Sequence, residues 1–188
     1  MTITISRRNA GRCLGLALLA CTLLQSAGAT AHEPARDNPV LEWNQIFIDT
    51  LIATNAVNSA SPRLGAIVHT AIFDAYNGIE KRYTPIFVQP SAPPGASRRA
   101  AVIAAAHTVL VGLFPARQAE LDASYAASLA ALDDVDSNAH EPARAWQSRQ
   151  RGIDWGTQVA QAVLAWRATD GFSTSYPAFT GGMQVGQW

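Results

Sequence analysis

Fifteen consecutive residues limit this chain more than anything else in it. From Ala100 to Phe114 the sequence reads AAVIAAAHTVLVGLF, and only His107 and Thr108 are polar. The stretch is long enough for about four helical turns and lacks the period-2 alternation of a half-buried strand. A helix that is apolar on every side has no face to offer water, so it must be enclosed. It is too short for a membrane span of roughly 20 residues, so other helices have to enclose it. The rest of the sequence must therefore supply partners around a full circumference.

Candidate partners are legible on both sides. Val40 to Val57 places Leu41, Ile46, Ile48, Leu51 and Ile52 at helical spacing, predicting an amphipathic helix with those residues inward. Ser61 to Ile79 is the best-marked helix, with Ser61 as the expected N-cap and Pro62 at its first position. Its apolar stripe is Leu64, Ile67, Val68, Ala71, Ile72 and Ala75, and Asn77-Gly78 is the expected stop. Glu80 to Ser97 holds four prolines and reads as a loop without regular structure. A loop of that length inside a domain usually wraps or covers something. Ser97 is the expected cap of the apolar helix. Pro115 to Leu132 predicts an alanine-rich helix, DDVDSNAHEP an acidic loop, and Ala143 to Gly171 a last long helix bent near Gly152 or Gly156 and stopped by Gly171. No strand pattern or internal repeat is visible. The expected fold is all-α, an incomplete bundle of about five helices with an irregular C-terminal tail.

The N-terminus reads as an export signal. Arg7, Arg8 and Arg12 form a basic region, CLGLALLACTLL (Cys13 to Leu24) an apolar core, and Ala29 to Ala31 a small-residue cleavage site. The twin arginine is compatible with folded-state export. The expected organisation is a signal peptide over 1–31, an extended leader over 32–39, a helical domain over 40–171 and a linker over 172–188, with a periplasmic or secreted destination. Both cysteines, Cys13 and Cys21, fall in the signal, which leaves the mature chain without a disulfide or thiolate metal site. Removing 31 of the 188 residues leaves about 157, enough to bury a core. Taking the three signal arginines from 14 basic residues leaves 11 against 14 acidic ones. Neither that balance nor the scattered arginines give a nucleic-acid footprint, and no stable membrane span is expected once the signal is removed.

The chemistry-bearing residues do not form a recognisable active site. His32, His69, His107 and His140 show no metal-ligand spacing. His107 reads as a core histidine with one satisfied hydrogen bond and His140 as a solvated loop residue. His69 and Asp74 are five residues apart, about 140° around a helix, so each is expected to bond to a neighbouring helix or loop rather than to the other. After cleavage, the amine and imidazole of His32 would make a minimal Cu(II) chelate with no further ligand evident. Asp133 to Asp136 lacks the glycine and closing Glu of a calcium loop. No phosphate-binding glycine loop or nucleophile elbow is present.

The order of pieces nevertheless resembles one family. EWNQIFIDTL, SPRLGAIVHTAIFDAYNGIEKRYTPI, the stretch from PPGAS through ASLAAL, and GFSTSYPAFTGGMQVGQW together are similar to the N-terminal half of bacterial vanadium-dependent haloperoxidase-like proteins of the type-2 phosphatidic acid phosphatase superfamily. The pattern at His69, Ala71, Asp74 and Ala75 and the Gly-Gln-Trp ending carry most of the likeness. The resemblance implies a helical protein in which a Lys, two Arg, a Ser-Gly pair and two His hold and work on vanadate or phosphate, oxidising halide with peroxide or cleaving phosphoesters. Those residues belong to three motifs: Lys with Arg-Pro, Pro-Ser-Gly-His, and Ser-Arg ending in His. Lys81 has no suitable Arg-Pro after it, PPGAS (Pro93 to Ser97) is not Pro-Ser-Gly-His, and SRQRGIDW (Ser148 to Trp155) lacks the His. In the family all three lie in a C-terminal half, expected as this chain's missing partner in cis or from a separate chain. No catalytic, cofactor-binding or metal-ligating residue is therefore assigned here. Vanadate, or phosphate as a substrate group, is implied only for the intact relative, and His69 and Asp74 are expected to be scaffold. The runner-up expectation is a standalone exported helical binding module.

Overall fold

The computed structural model describes residues 38–56, 58–136, 142–175, 177–178, 180–182 and 184–186. The expected signal peptide, His32 and His140 lie outside them. Among the described residues the regular structure is five α-helices and one short 3-10 turn: α1 (Pro39–Ala53), α2 (Ser61–Glu80), α3 (Arg98–Leu113), the turn Pro115–Arg117, α4 (Gln118–Asp136) and α5 (Pro142–Arg167). No strand occurs among the described residues, and the fold is all-α as expected.

α3 is the axis of the bundle. Seven successive residues, Ala100 to Ala106, are buried, followed by Val109 and Leu110. Each of the other four helices packs against α3, and α5 and α2 do so most extensively. Ser97 caps α3 by accepting from the Ala100 N–H, as expected. The stripe on α2 is also inward: Ile67, Val68, Ala71, Ile72 and Ala75 are all buried. Among the described residues no single helix is long and apolar enough to cross a membrane.

The α3–α5 contact depends on two glycines four residues apart. A methyl group on Gly156 would stand 2.2 Å from the carbonyl oxygen of Ala101, and one on Gly152 would stand 2.3 Å from that of Ser97. The helix backbones touch at both points, and the Ser97 N–H donates across the seam to the Ser148 carbonyl at 2.9 Å. α5 runs as one helix through both residues. These glycines therefore serve close approach, where the sequence suggested a bend. Gly78 has the same role. A methyl there would lie 2.3 Å from Cζ2 of Trp155, whose indole N–H donates to the Ala75 carbonyl at 2.9 Å. α2 consequently passes its expected stop and ends at Glu80, with Lys81 in the left-handed conformation (φ 55°).

Other boundaries also shift. Asn38 caps α1 and Pro39 begins it, so the expected leader ends earlier than residue 39. α1 ends at Ala53, before Asn55 at φ 48°. Ala60, not Ser61, holds the N-cap position of α2, and Pro62 follows within the first turn. The acidic run is helical as far as Asp136, because α4 continues past Leu132. α5 stops at Arg167, and Gly171 (φ 81°) belongs to the turn beyond it. The described part of 172–188 contains no helix or strand.

The largest correction concerns α1. Its buried residues are Pro39, Trp43, Phe47 and Thr50. Leu41, Ile48 and Ile52, expected inward, are 53%, 38% and 73% exposed. At about 100° per residue those three share one line, about 150° from the Trp43–Phe47 face. α1 has two apolar faces, and the one with the larger aromatic area faces the core.

Two glycine substitutions should separate contact from propensity. Gly156→Ala is expected to destabilise by roughly 1–3 kcal/mol, because backbone must move to admit the methyl. Gly65→Ala meets only the Phe47 ring at 3.4 Å and should be neutral or stabilise by up to about 1 kcal/mol. Urea denaturation of the two variants beside the parent measures both.

Candidate functional site

The structure gives His69, Asp74 and His107 local partners. His69 Nε2 lies 3.0 Å from Asn44 Oδ1 on α1. Asp74, fully buried, turns toward the 81–97 loop, so the two share no contact, as their spacing required. His107 Nε2 sits 2.7 Å from Asp122 Oδ1 on α4. Its ring stacks on Tyr125 (centroids 4.3 Å apart) and meets the edge of Trp43 at 6.1 Å. Burial pushes the Tyr125 phenol above its ordinary pKa, and the Asp154 carboxylate adds to that rise. The Trp43 indole N–H, also buried, has no acceptor among the described residues.

Asp74 organises the long loop. Oδ1 accepts the Ile86 N–H, and Oδ2 accepts those of Phe87 and Val88, each at 2.8 Å. Asn77, one turn on, donates to the Tyr83 carbonyl and accepts the N–H groups of Arg82 and Tyr83. Arg151 reaches the Gly95 carbonyl farther along. The loop is thus a strap laid across α2 and α5, and it satisfies buried polar groups that would otherwise carry a full desolvation cost. The two segments that fail as oxyanion motifs, PPGAS and SRQRGIDW, meet in this strap. Their glycines and Ser97 serve packing and capping there.

A cleft between α2 and α5 was not anticipated from the sequence. Its volume is about 240 Å³. The exposed Ala66 gives it apolar surface beside the buried Ile67 and Val163, Thr70 gives a hydroxyl and Trp166 an indole, and Arg63 and Arg167 complete the lining. Phe87 from the strap stacks on Trp166 at 4.4 Å, nearly parallel. Arg63 donates from Nε to Asp170 Oδ2 and from Nη2 to the Arg167 carbonyl, both at 2.9 Å, and its guanidinium lies over the Phe172 ring. Arg167 also pairs with Asp170, at 2.7 Å. One carboxylate therefore fixes two guanidinium groups. The Phe172 N–H hydrogen bond holds the Asp170 carboxyl below its usual range, and the Arg63 hydrogen bond and the charges of Arg63 and Arg167 act the same way. Only the Arg167–Asp170 pair, three residues apart, could have been read from sequence; Arg63 lies on a different helix.

Among the described residues no group of three or more His, Cys, Asp or Glu side chains is arranged to hold a metal ion. Comparison with protein families, with curated proteins and with solved structures gives no match for this chain.

Two measurements test these assignments. Asp74→Asn presents an NH₂ group where the carboxylate accepted backbone donors, so a loss of roughly 1.5–3 kcal/mol is expected. Hydrogen exchange should show the amides of residues 86–88 losing protection first. Asp170 has a lowered native pKa, so its contribution to stability is present above the ordinary carboxylate range. It is lost as pH falls through the lowered value. Asp170→Asn should flatten that acid limb in a pH series of thermal melts and leave the neutral-to-alkaline shape unchanged.

Proposed function

We propose that this chain supplies the N-terminal helical scaffold of an exported protein of the vanadium-dependent haloperoxidase and type-2 phosphatidic acid phosphatase kind. Its oxyanion-holding motifs would be carried by a further helical half. The observation that carries this reading is the outward stripe of α1. A helix at the edge of a finished monomer puts polar residues outward, yet Leu41, Ile48 and Ile52 face away from the core in a line. Such a face is suited to another apolar surface. The roles of His69 and Asp74 fit the same reading, since both brace the helices and the strap and neither faces the α2–α5 cleft. In that setting the intact protein would use vanadate to activate peroxide, or would cleave phosphoesters.

The α2–α5 cleft favours the second reading, a helical module that acts by binding. The gene separates the two. An in-frame or one-base-shifted region beyond the Trp188 codon encoding Lys with Arg-Pro and Pro-Ser-Gly-His supports the scaffold. A distant gene encoding only that half supports a module that complements it.

The protein itself should leave the ⁵¹V NMR signal of added vanadate unchanged and should not oxidise bromide. Tight vanadate binding with halide oxidation would overturn the scaffold reading. Replacing Leu41, Ile48 and Ile52 together by Gln should lower the binding of apolar dyes and reduce self-association. The thermal midpoint should move little, as expected for surface positions. A large loss of stability would show instead that the stripe packs within the monomer.

A further inference from the structure

The α2–α5 cleft has a recognisable ligand chemistry, and the argument for it does not depend on the scaffold reading. Its accessible lining is mixed: the exposed Ala66 and the Trp166 ring give apolar surface, and Thr70 gives a hydroxyl. Beside that lining stand two guanidinium groups and a single carboxylate, Asp170, which leaves one positive charge in surplus. Both guanidinium groups are already held. Arg63 is fixed by Asp170, the Arg167 carbonyl and the Phe172 ring, and Arg167 by Asp170 and the Trp166 ring at 4.8 Å. Little side-chain freedom remains to be lost when a ligand arrives. At about 240 Å³ the space is below the roughly 300–1,000 Å³ of pockets that take drug-sized ligands, so its occupant must be small.

We propose that this cleft binds a small organic monocarboxylate of about one-ring size, with its apolar body against Ala66 and Trp166 and its carboxylate toward Arg63 and Arg167. A doubly charged oxyanion such as phosphate suits the site less well. One surplus charge would leave it under-neutralised.

The test uses the full chain, ¹⁵N-labelled, with benzoate as the probe and the Trp166 indole N–H as the reporter. Benzoate should shift that resonance saturably, with a dissociation constant on the order of millimolar. Benzamide, the neutral analogue, should bind at least about tenfold more weakly, and inorganic phosphate should not displace benzoate at equal concentration. Ala66→Leu fills the cleft from an exposed position on α2 and should abolish the shift while the thermal midpoint stays near that of the parent. Arg167→Gln leaves the Arg63–Asp170 pair in place and should weaken benzoate about tenfold. Benzamide binding as tightly as benzoate, effective competition by phosphate, or undiminished binding by Ala66→Leu would each overturn the proposal.

Discussion

The enclosure of α3 is the constraint on which the rest of the structure depends. A helix with no polar face contributes stability only if other helices cover its whole circumference. Each of the other four helices covers part of it. Their inward faces are therefore largely committed to α3, although α2 and α5 also pack on each other. α1 touches α2 only slightly, whereas α2 packs on α5 more extensively than α1 or α4 packs on α3, and individual side chains fix that contact. Trp155 is the clearest of these. Its ring lies flush on Gly78 and its N–H bonds to a helix carbonyl, so one side chain fixes both the distance and the register of two helices.

Alanine and glycine set the geometry of that enclosure. Small side chains on α3 and the pair Gly152 and Gly156 on α5 let the two backbones touch, and dispersion between closely packed atoms replaces the larger hydrophobic side chains seen elsewhere. The same close approach positions the cleft. With α5 held close to α3, its last turn lies beside α2. Arg63 can then reach both the Arg167 carbonyl and Asp170.

Much of the architecture was legible in the sequence because it rests on local signals. The apolar run of α3, the Ser97 cap and the stripe of α2 each depend on a period or a cap that a linear reading detects. The misread places are those where a tertiary contact overrules a local signal. Gly78, Gly152 and Gly156 look like stops or hinges in sequence, and only the presence of Trp155 or the α3 backbone shows that they are contacts. On α1, Ile46 and Leu51 pack against the core as expected, but Leu41, Ile48 and Ile52 do not, because both faces of the helix are apolar and the size of Trp43 and Phe47 decides between them. The cleft was not legible because Arg63 and Arg167 lie 104 residues apart in sequence and meet only once α2 and α5 are packed.

The strap held by Asp74 has a consequence for how this protein can vary. The carboxylate recognises three backbone N–H groups and no side chain of the segment it holds. Every amino acid except proline presents the same donor, so the exposed Ile86 can be exchanged widely with the anchorage intact, whereas Val88 also packs against the core. Asp74 has no such freedom, since no other side chain places two acceptor oxygens at that distance from the helix. The exposed surface of the strap can therefore diversify while its path across the bundle stays fixed, with the invariance concentrated in two buried residues, Asp74 and Asn77.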